Sequence, residues 1–136
     1  MRIIIDTNVV MSGVFFSGIP SFILKAFNNA TYDVYANDDI IAEYEEVYER
    51  LKQKLHRTPQ TDLFHTFIDK LNIADTKSNI AICRDPDDDK FLNCAIDTNS
   101  LYIVSGDRDL LDIQKFRNTT IITATEFYEK YLAEGV

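Results

Sequence analysis

Leu101-Tyr102-Ile103-Val104-Ser105-Gly106-Asp107 carries the clearest structural signal in the chain. It begins with a continuous apolar run, which is typical of a parallel strand covered on both faces. A serine, a glycine and an acid follow directly, so the strand ends by delivering a carboxylate to the edge of a sheet. The stretch predicts an α/β fold whose site lies outside the carboxyl ends of its strands.

Further strands are predicted at residues 2–5, 33–36 and 120–123, where short β-branched or apolar runs occur. Residues 72–83 are ambiguous, and within them Ile80-Ala81-Ile82-Cys83 is a candidate strand. These runs alternate with segments of helical apolar spacing. The alternation predicts a three-layer α/β sandwich with a parallel sheet of about five strands.

Five helices are expected between and after these strands, from apolar residues that recur at helical spacing. They cover residues 21–27, 40–51, 60–71, 89–96 and 126–132, and a short helix opens at Leu110. Ser21 and Thr125 are the predicted N-caps of the first and last of them, because hydroxyl side chains accept hydrogen bonds from free helix amides.

Length and composition predict one cytoplasmic domain over residues 1–136. The chain has a net charge of −8, and 26% of its residues are charged. No apolar run approaches the roughly 20 residues that cross a bilayer, and the N-terminus lacks the pattern of a signal peptide. Cys83 and Cys94 form no CxxC pair, so reduced thiols are expected.

Four carboxylates are expected to meet at the edge of this sheet. Asp6 ends the first strand, and Asp107 follows the strand at 101–105 after one glycine. Asp89 and Glu43 each lie in the first turn of a helix, and such helices begin at the edge where parallel strands end. Clustered acids repel one another, and a hard cation such as Mg²⁺ or Mn²⁺ relieves this repulsion with its preferred oxygen ligands.

Simpler explanations exist for each acid taken alone. Asp6 fits turn chemistry after a strand, Glu43 fits the solvated face of an acidic helix, and Asp109 fits a cap for the helix at Leu110. The run Asp85-Pro86-Asp87-Asp88-Asp89 is a good helix start by itself. The joint placement of four acids favours a metal site.

The chain resembles the PIN-domain family, in particular its branch of toxin components of toxin–antitoxin systems. The resemblance rests on four motifs in order, around Ile5-Asp6-Thr7-Asn8, Ala42-Glu43-Tyr44, Asp89-Lys90-Phe91-Leu92 and Ser105-Gly106-Asp107-Arg108-Asp109. The closing stretch Ile121–Phe127 also resembles that branch. Ser105 stands where threonine is common and keeps the hydroxyl.

The resemblance implies a Mg²⁺- or Mn²⁺-dependent endoribonuclease, often paired with a protein antitoxin and often a homodimer. Asp6, Glu43, Asp89 and Asp107 would be its catalytic acids, and Asp6, Asp89 and Asp107 would hold the metal. Asn8, Ser105 and Asp109 would orient these acids.

The acidic balance leaves open how RNA is held, because phosphate contacts usually come from lysine and arginine. If the helix from residue 40 persists, Arg50, Lys54 and Arg57 fall on one stripe with Lys52 beside it, which is a candidate contact for the RNA backbone. Pairing with Glu46, or solubility alone, explains this stripe better.

Two other classes of protein compete with the nuclease. One is a catalytically silent PIN-like module that binds protein or RNA. The other is a receiver- or phosphohydrolase-type protein, which also places aspartates at strand ends. The second is disfavoured because no second aspartate stands two residues after Asp6 and no lysine ends the last strand.

Overall fold

The computed structural model describes residues 1–133, so the predicted domain end at residue 136 lies outside the described residues. The strands are β1 Arg2–Ile5, β2 Asp33–Ala36, β3 Asn72–Ile73, β4 Tyr102–Val104, β5 Lys115–Phe116 and β6 Thr119–Ile122. The helices are α1 Thr7–Phe15, α2 Ile19–Asn28, α3 Asp38–Lys54, α4 Thr61–Lys70, α5 Asp89–Thr98, α6 Arg108–Leu111 and α7 Ala124–Tyr131, with a 3₁₀ turn at Pro86–Asp88 before α5.

The six strands form one sheet in the order β3-β2-β1-β4-β6-β5, and all neighbours are parallel except β5 and β6. Strand β1 lies at its centre, where Ile3, Ile4 and Ile5 are fully buried, as a β-branched run between two helical layers should be. Ile5 pairs with Val104, so β1 and β4 end side by side. The two strands predicted to carry Asp6 and Asp107 are therefore neighbours.

Helices flank the sheet, which confirms the predicted α/β sandwich. Helix α5 packs against β1, β2 and β4, while α2 packs against α1, α4 and α7. The contact between α1 and α2 depends on Gly13, where a Cβ atom would lie 2.7 Å from the Cδ1 atom of Leu24 and 2.8 Å from the carbonyl oxygen of Pro20. The sheet has six strands where about five were expected, because the short antiparallel β5 adds an edge.

The prediction of a candidate strand at residues 80–83 is wrong. The third strand is Asn72–Ile73, which pairs with β2, and residues 74–83 form an irregular segment that we call the 74–83 loop. Its β-branched residues suggested a strand, but none of its side chains is buried, and Ile82 is 49% exposed. β-branched residues favour strands mainly where they are packed on a half-buried surface, and this segment is not packed in that way.

Three helix starts also differ from expectation. Helix α1 follows Asp6 directly and was not predicted, because its valines favour strands and only burial against the sheet makes them helical. Helix α2 begins at Ile19 with Gly18 as N-cap, so Ser21 lies inside it. Thr123, not Thr125, caps α7 through a reciprocal capping box with Glu126.

Among the described residues, no single helix is long and apolar enough to cross a membrane. Within residues 1–133, one pair of consecutive helices, α1 and α2, has the required length and composition when taken together, and the two helices meet at a bend of 96°.

Candidate metal centre

Asp6 and Asp107 stand at the C-terminal edge of the sheet, and one hydroxyl group links the side chain of Asp6 to the backbone of Asp107. The hydroxyl of Ser105 donates to the Oδ2 atom of Asp6 at 2.6 Å and accepts from the backbone N–H of Asp107 at 2.9 Å. Ser105 is fully buried just after β4, so its position is fixed by the sheet. It makes the contacts that an orienting residue requires.

Asp6 is buried in an environment that opposes its charge. Burial raises the pKa of Asp6 above its usual value, and the nearby carboxylates of Asp107 and Glu43 raise it further, while the hydrogen bond from Ser105 acts in the opposite direction. A buried carboxylate near two others favours either a proton or a bound cation.

Asp88, the last residue of the 3₁₀ turn, completes this group of acids. Its carboxylate lies close to those of Asp107 and Asp109, with one oxygen from each within 4.8 Å of the other two. Burial, together with the contact with Asp107, raises the pKa of Asp88 to about 7. Its Oδ2 atom is buried and has no hydrogen-bond partner among the described residues. We call Asp6, Asp88, Asp107, Asp109 and Glu43 the acidic crevice.

The carboxylate of Asp89 is directed towards the 74–83 loop and away from the contact of Asp88 with Asp107. Its Oδ1 atom accepts hydrogen bonds from the backbone N–H groups of Ile82 at 3.1 Å and Cys83 at 2.9 Å. Although burial acts in the opposite direction, these amides lower the pKa of Asp89 below its usual value. The predicted role of Asp89 as a metal ligand stays a prediction, and the structure points to its neighbour Asp88 as the acid beside Asp107.

Asp89 belongs to a stripe on α5 that also includes Asn93 and Asp97, which we call the loop clamp. The side chain of Asn93 exchanges two hydrogen bonds with the backbone of Ile80. Asp97 accepts from the backbone N–H groups of Lys77 and Ser78. Four residues of helix rise about 6 Å, and two residues of extended chain span about 6.6 Å, so the two segments run in step.

Glu43, the acid predicted only from its register, is held on both sides. It accepts a hydrogen bond from the hydroxyl of Thr7, and its Oε1 atom lies 2.9 Å from the Nζ atom of Lys90. The next residue, Tyr44, is fully buried and donates its hydroxyl to the carbonyl of Ile5 at the end of β1. This hydrogen bond ties the first turns of α3 to the edge of the sheet that carries Asp6.

The outermost acid, Asp109, is also paired. Its Oδ1 atom lies 3.0 Å from the guanidinium of Arg84, which also contacts Asp112 at 2.7 Å. The cap of α6 is Asp107, whose side chain accepts from the backbone N–H of Asp109 at 3.0 Å. Asn8 was predicted to orient the acids, but it is exposed and makes no side-chain hydrogen bond within residues 1–133.

The basic stripe on α3 makes local contacts. Arg50 pairs with Glu46 at 3.2 Å and Lys52 with Glu49 at 3.4 Å, and these side chains are well exposed. Arg57 lies beyond the end of α3 at Lys54, so it is not part of the helical stripe, and it donates to the carbonyl of Phe15. Pairing along the helix, the simpler explanation, accounts for Arg50.

Sequence reasoning missed one acid of the crevice, Asp88, and the two residues that contact Glu43, Thr7 and Lys90. Asp88 was hidden by the run of three consecutive acids, in which neighbours differ by about 100° around a helix. Lys90 carried a signal, because a cation in the first turn of a helix opposes the helix dipole and calls for a local partner. Thr7 carried none that was separable from turn chemistry.

The five acids of the crevice differ in whether a cation pairs with them. Glu43 and Asp109 each have a cation within 3.0 Å, whereas Asp6, Asp88 and Asp107 have no ion-pair partner among the described residues. All donors are carboxylate oxygens, the ligands that Mg²⁺ and Mn²⁺ prefer. The unpartnered buried oxygen of Asp88 is a position that a cation would satisfy.

Comparisons with known proteins identify the family of the chain. The model of the PIN-domain family matches residues 2–109, which include every acid of the crevice. The chain is 28% identical over 145 aligned positions to an uncharacterized protein of Methanocaldococcus jannaschii, covering 96% of this chain and 92% of the relative. No solved structure matches the chain.

Proposed function

The chain belongs to the PIN-domain family, whose members are in general nucleases that use divalent metals, and on that premise we propose that it is a Mg²⁺- or Mn²⁺-dependent endoribonuclease. Its substrate is RNA, cut at phosphodiester bonds in the cytoplasm. The proposed domain comprises the whole chain, residues 1–136.

The observation that supports the proposal is the group of three unpaired acids at the sheet edge. Asp6 and Asp88 have raised pKa values, because each is buried beside other carboxylates. Such a group is unfavourable for the fold in the absence of a cation, whereas Glu43 and Asp109 are already neutralised by Lys90 and Arg84. We propose Asp6, Asp88 and Asp107 as the residues that hold the metal, with Asp89 as the alternative to Asp88.

A bound divalent cation supplies a more acidic water and polarises the phosphate. The residues of the chain do the rest of the work. Ser105 fixes the oxygen of Asp6 that it contacts and, through the backbone of Asp107, the relative position of the two strand-end acids. Glu43 lies close enough to Asp6 to raise its pKa, and in this position it can accept a proton from an attacking water.

The proposal is tested by replacing Asp6 or Asp107 with Asn and measuring cleavage of single-stranded RNA over a range of Mn²⁺ concentrations. Loss of a metal-binding carboxylate should reduce the rate by at least about 100-fold, since even residues that only orient metal ligands change activity by about 10- to 100-fold. Circular dichroism should show that both variants are folded. Asp112→Asn, an exposed acid at the end of α6, is the matched control and should keep the wild-type rate.

Full activity in either crevice variant contradicts the assignment of these acids. Absence of metal-dependent cleavage by the wild type, over a broad panel of RNAs, contradicts the enzyme itself. In that case RNA binding without cleavage would favour the silent binding module.

We further propose that the protein is the toxin of a toxin–antitoxin pair and forms a homodimer. The support for both is the resemblance of the chain to that branch of the family. Co-expression with the product of the neighbouring open reading frame tests the first: a stable complex and relief of growth arrest are expected. Light scattering of the purified protein tests the second, with a monomer as the contradicting result.

A further inference from the structure

Lys90 occupies a position where a lysine is electrostatically unfavourable for its own helix. It is the second residue of α5, and the N-terminal end of a helix carries partial positive charge. Its side chain is only 16% exposed, although lysine side chains are mostly exposed. A half-buried cation at a helix start indicates that something outside the helix requires the charge.

The contacts of Lys90 direct its ammonium group to the rim of the acidic crevice. The Nζ atom lies 2.9 Å from Glu43 Oε1 and donates to the carbonyl oxygen of Asp87. The same nitrogen lies 5.2 Å from the centre of the Phe91 ring. An open depression of about 290 Å³ adjoins it, lined by Asp39, Glu43, Pro86, Asp87 and Lys90.

The charge of the whole chain sets a problem that this residue can solve. With a net charge of −8, the protein has little long-range attraction for RNA, so phosphate contacts have to be made locally. Lys90 and Arg84 are the cations that pair with crevice acids among the described residues. Arg84 is 68% exposed and shared between two acids, whereas Lys90 is largely desolvated and contacts one carboxylate.

We propose that Lys90 binds a phosphate of the RNA beside the metal centre, and that Glu43 occupies this position until RNA arrives. This inference rests on the proposed nuclease function and names the residue by which the acidic protein holds its substrate. A phosphate oxygen replaces the Glu43 carboxylate on the ammonium group, and the exchange keeps the charge of Lys90 paired throughout. The exchange forms and breaks no covalent bond.

The alternative is that Lys90 only neutralises Glu43 and never touches RNA. The two roles differ in what happens when Glu43 loses its charge. A phosphate-binding Lys90 becomes free in Glu43→Gln, so RNA should bind more tightly. If Lys90 only neutralises Glu43, Glu43→Gln should change the affinity for RNA no more than the removal of any other single negative charge does.

The test measures binding of a short single-stranded RNA of mixed sequence to the full chain in the presence of a chelator, at several salt concentrations. One lost phosphate contact lowers the slope of log affinity against log salt by about 0.7, which corresponds to roughly fivefold weaker binding near 0.1 M salt. This loss is expected for Lys90→Met and not for Lys25→Met, an exposed lysine on α2. Lys90→Arg should keep the wild-type slope.

A double-mutant cycle completes the test. Glu43→Gln should tighten RNA binding more than Glu46→Gln does, since Glu46 is an exposed acid on the same helix. The tightening should vanish when Lys90→Met is added. Circular dichroism and urea unfolding identify any variant that is unfolded, and Lys90→Gln, which removes the charge but keeps a polar side chain, then takes the place of Lys90→Met with Lys25→Gln as its control.

Two results overturn the inference in distinguishable ways. If the wild type binds and cleaves RNA but Lys90→Met has the slope of Lys25→Met, only the role of Lys90 is wrong. If the wild type neither binds nor cleaves RNA, the nuclease proposal falls and this inference falls with it.

Discussion

Asp88 and Asp89 are consecutive residues in opposite environments. The carboxylate of Asp88 is buried beside other acids, has an oxygen without a partner and has a pKa raised to about 7. The carboxylate of Asp89 accepts two backbone hydrogen bonds and has a lowered pKa. The first belongs to the acidic crevice and the second to the loop clamp.

The start of α5 therefore contributes both to the candidate site, through Asp88, and to the stability of the fold, through Asp89. The loop clamp is satisfied within the protein, because every carboxylate in it meets backbone N–H groups. In the crevice, by contrast, the charges of Asp6, Asp88 and Asp107 have no ion-pair partner among the described residues, so protons or a cation would have to neutralise them. Unsatisfied polar groups in an otherwise well-paired structure are expected at functional sites rather than in the scaffold.

Removing the charge of Asp88 or of Asp89 separately tests which of the two residues contributes to metal binding. Asp88→Asn should weaken Mn²⁺ binding by at least about 100-fold, since even groups that only orient metal ligands change affinity by about 10- to 100-fold. Asp89→Asn should change the affinity by less than that, because the Asp89 carboxylate contacts the 74–83 loop. Isothermal titration calorimetry with Mn²⁺ measures both.

The opposite ranking would restore the assignment made from the sequence, in which Asp89 binds the metal. Equal losses in the two variants would mean that the crevice and the clamp are one unit.

The pH dependence of stability separates the two regions in the metal-free protein. The folded-state pKa of Asp88 is about 7 and its ordinary value is 3.8, so between these values only the folded state holds the proton. Its contribution to the free energy of unfolding is therefore present at acidic pH and is lost as the pH rises through about 7. Urea unfolding in a chelator should show this loss in the wild type and a smaller one in Asp88→Asn.

The clamp acids should act with the opposite sign. Asp89 and Asp97 have lowered pKa values, because backbone amides favour their charged forms. The contribution of Asp89 and Asp97 to the free energy of unfolding is present above their ordinary pKa, and it is lost as the pH falls below that value. A metal-free protein that is most stable at neutral pH, with no change in Asp88→Asn, would contradict the description of the crevice.

Cutting the clamp should affect folding more than chemistry. Asp89→Ala leaves the backbone N–H groups of Ile82 and Cys83 without their acceptor, which should lower the free energy of unfolding by about 1–3 kcal/mol. Denaturant unfolding measures the loss. Asn93→Ala should act in the same direction, since Ile80 then loses two partners. A wild-type unfolding midpoint in both variants would show that the clamp contributes nothing.

The smallest effect is expected at Arg84, the cation on the outer side of the crevice. Its ion pairs with Asp109 and Asp112 are largely exposed, and exposed pairs contribute about 0–1 kcal/mol. Arg84→Met should therefore unfold at nearly the same urea concentration as the wild type. A loss well above this range would place Arg84 in the scaffold.

The sequence was sufficient for the parts of the fold that burial controls. Strand β4 and the neighbouring β1 could be predicted because their apolar runs are continuous, and the position of two acids at their ends followed from parallel topology. Helix α1 could not, because its valines favour strands and only packing overrides that preference.

The choice between Asp88 and Asp89 lay beyond sequence reasoning for a geometric reason. A 3₁₀ turn passes into α5 at this point, and the rotation of the helix against the sheet decides which acid faces β4. The strand expected at 80–83 failed similarly, because the partner of this segment is a row of side chains on a helix rather than another strand.

The 74–83 loop has a consequence for how this protein can diverge. The clamp holds this loop mostly through backbone atoms, and the hydroxyl of Ser78 and the thiol of Cys83 are side chains of the loop that also contact the clamp. Residues such as Asn79, Ala81 and Ile82 can therefore be exchanged without loss of an anchor. Relatives that keep Asp89, Asn93 and Asp97 can carry different side chains on this loop, beside the crevice, over an unchanged scaffold.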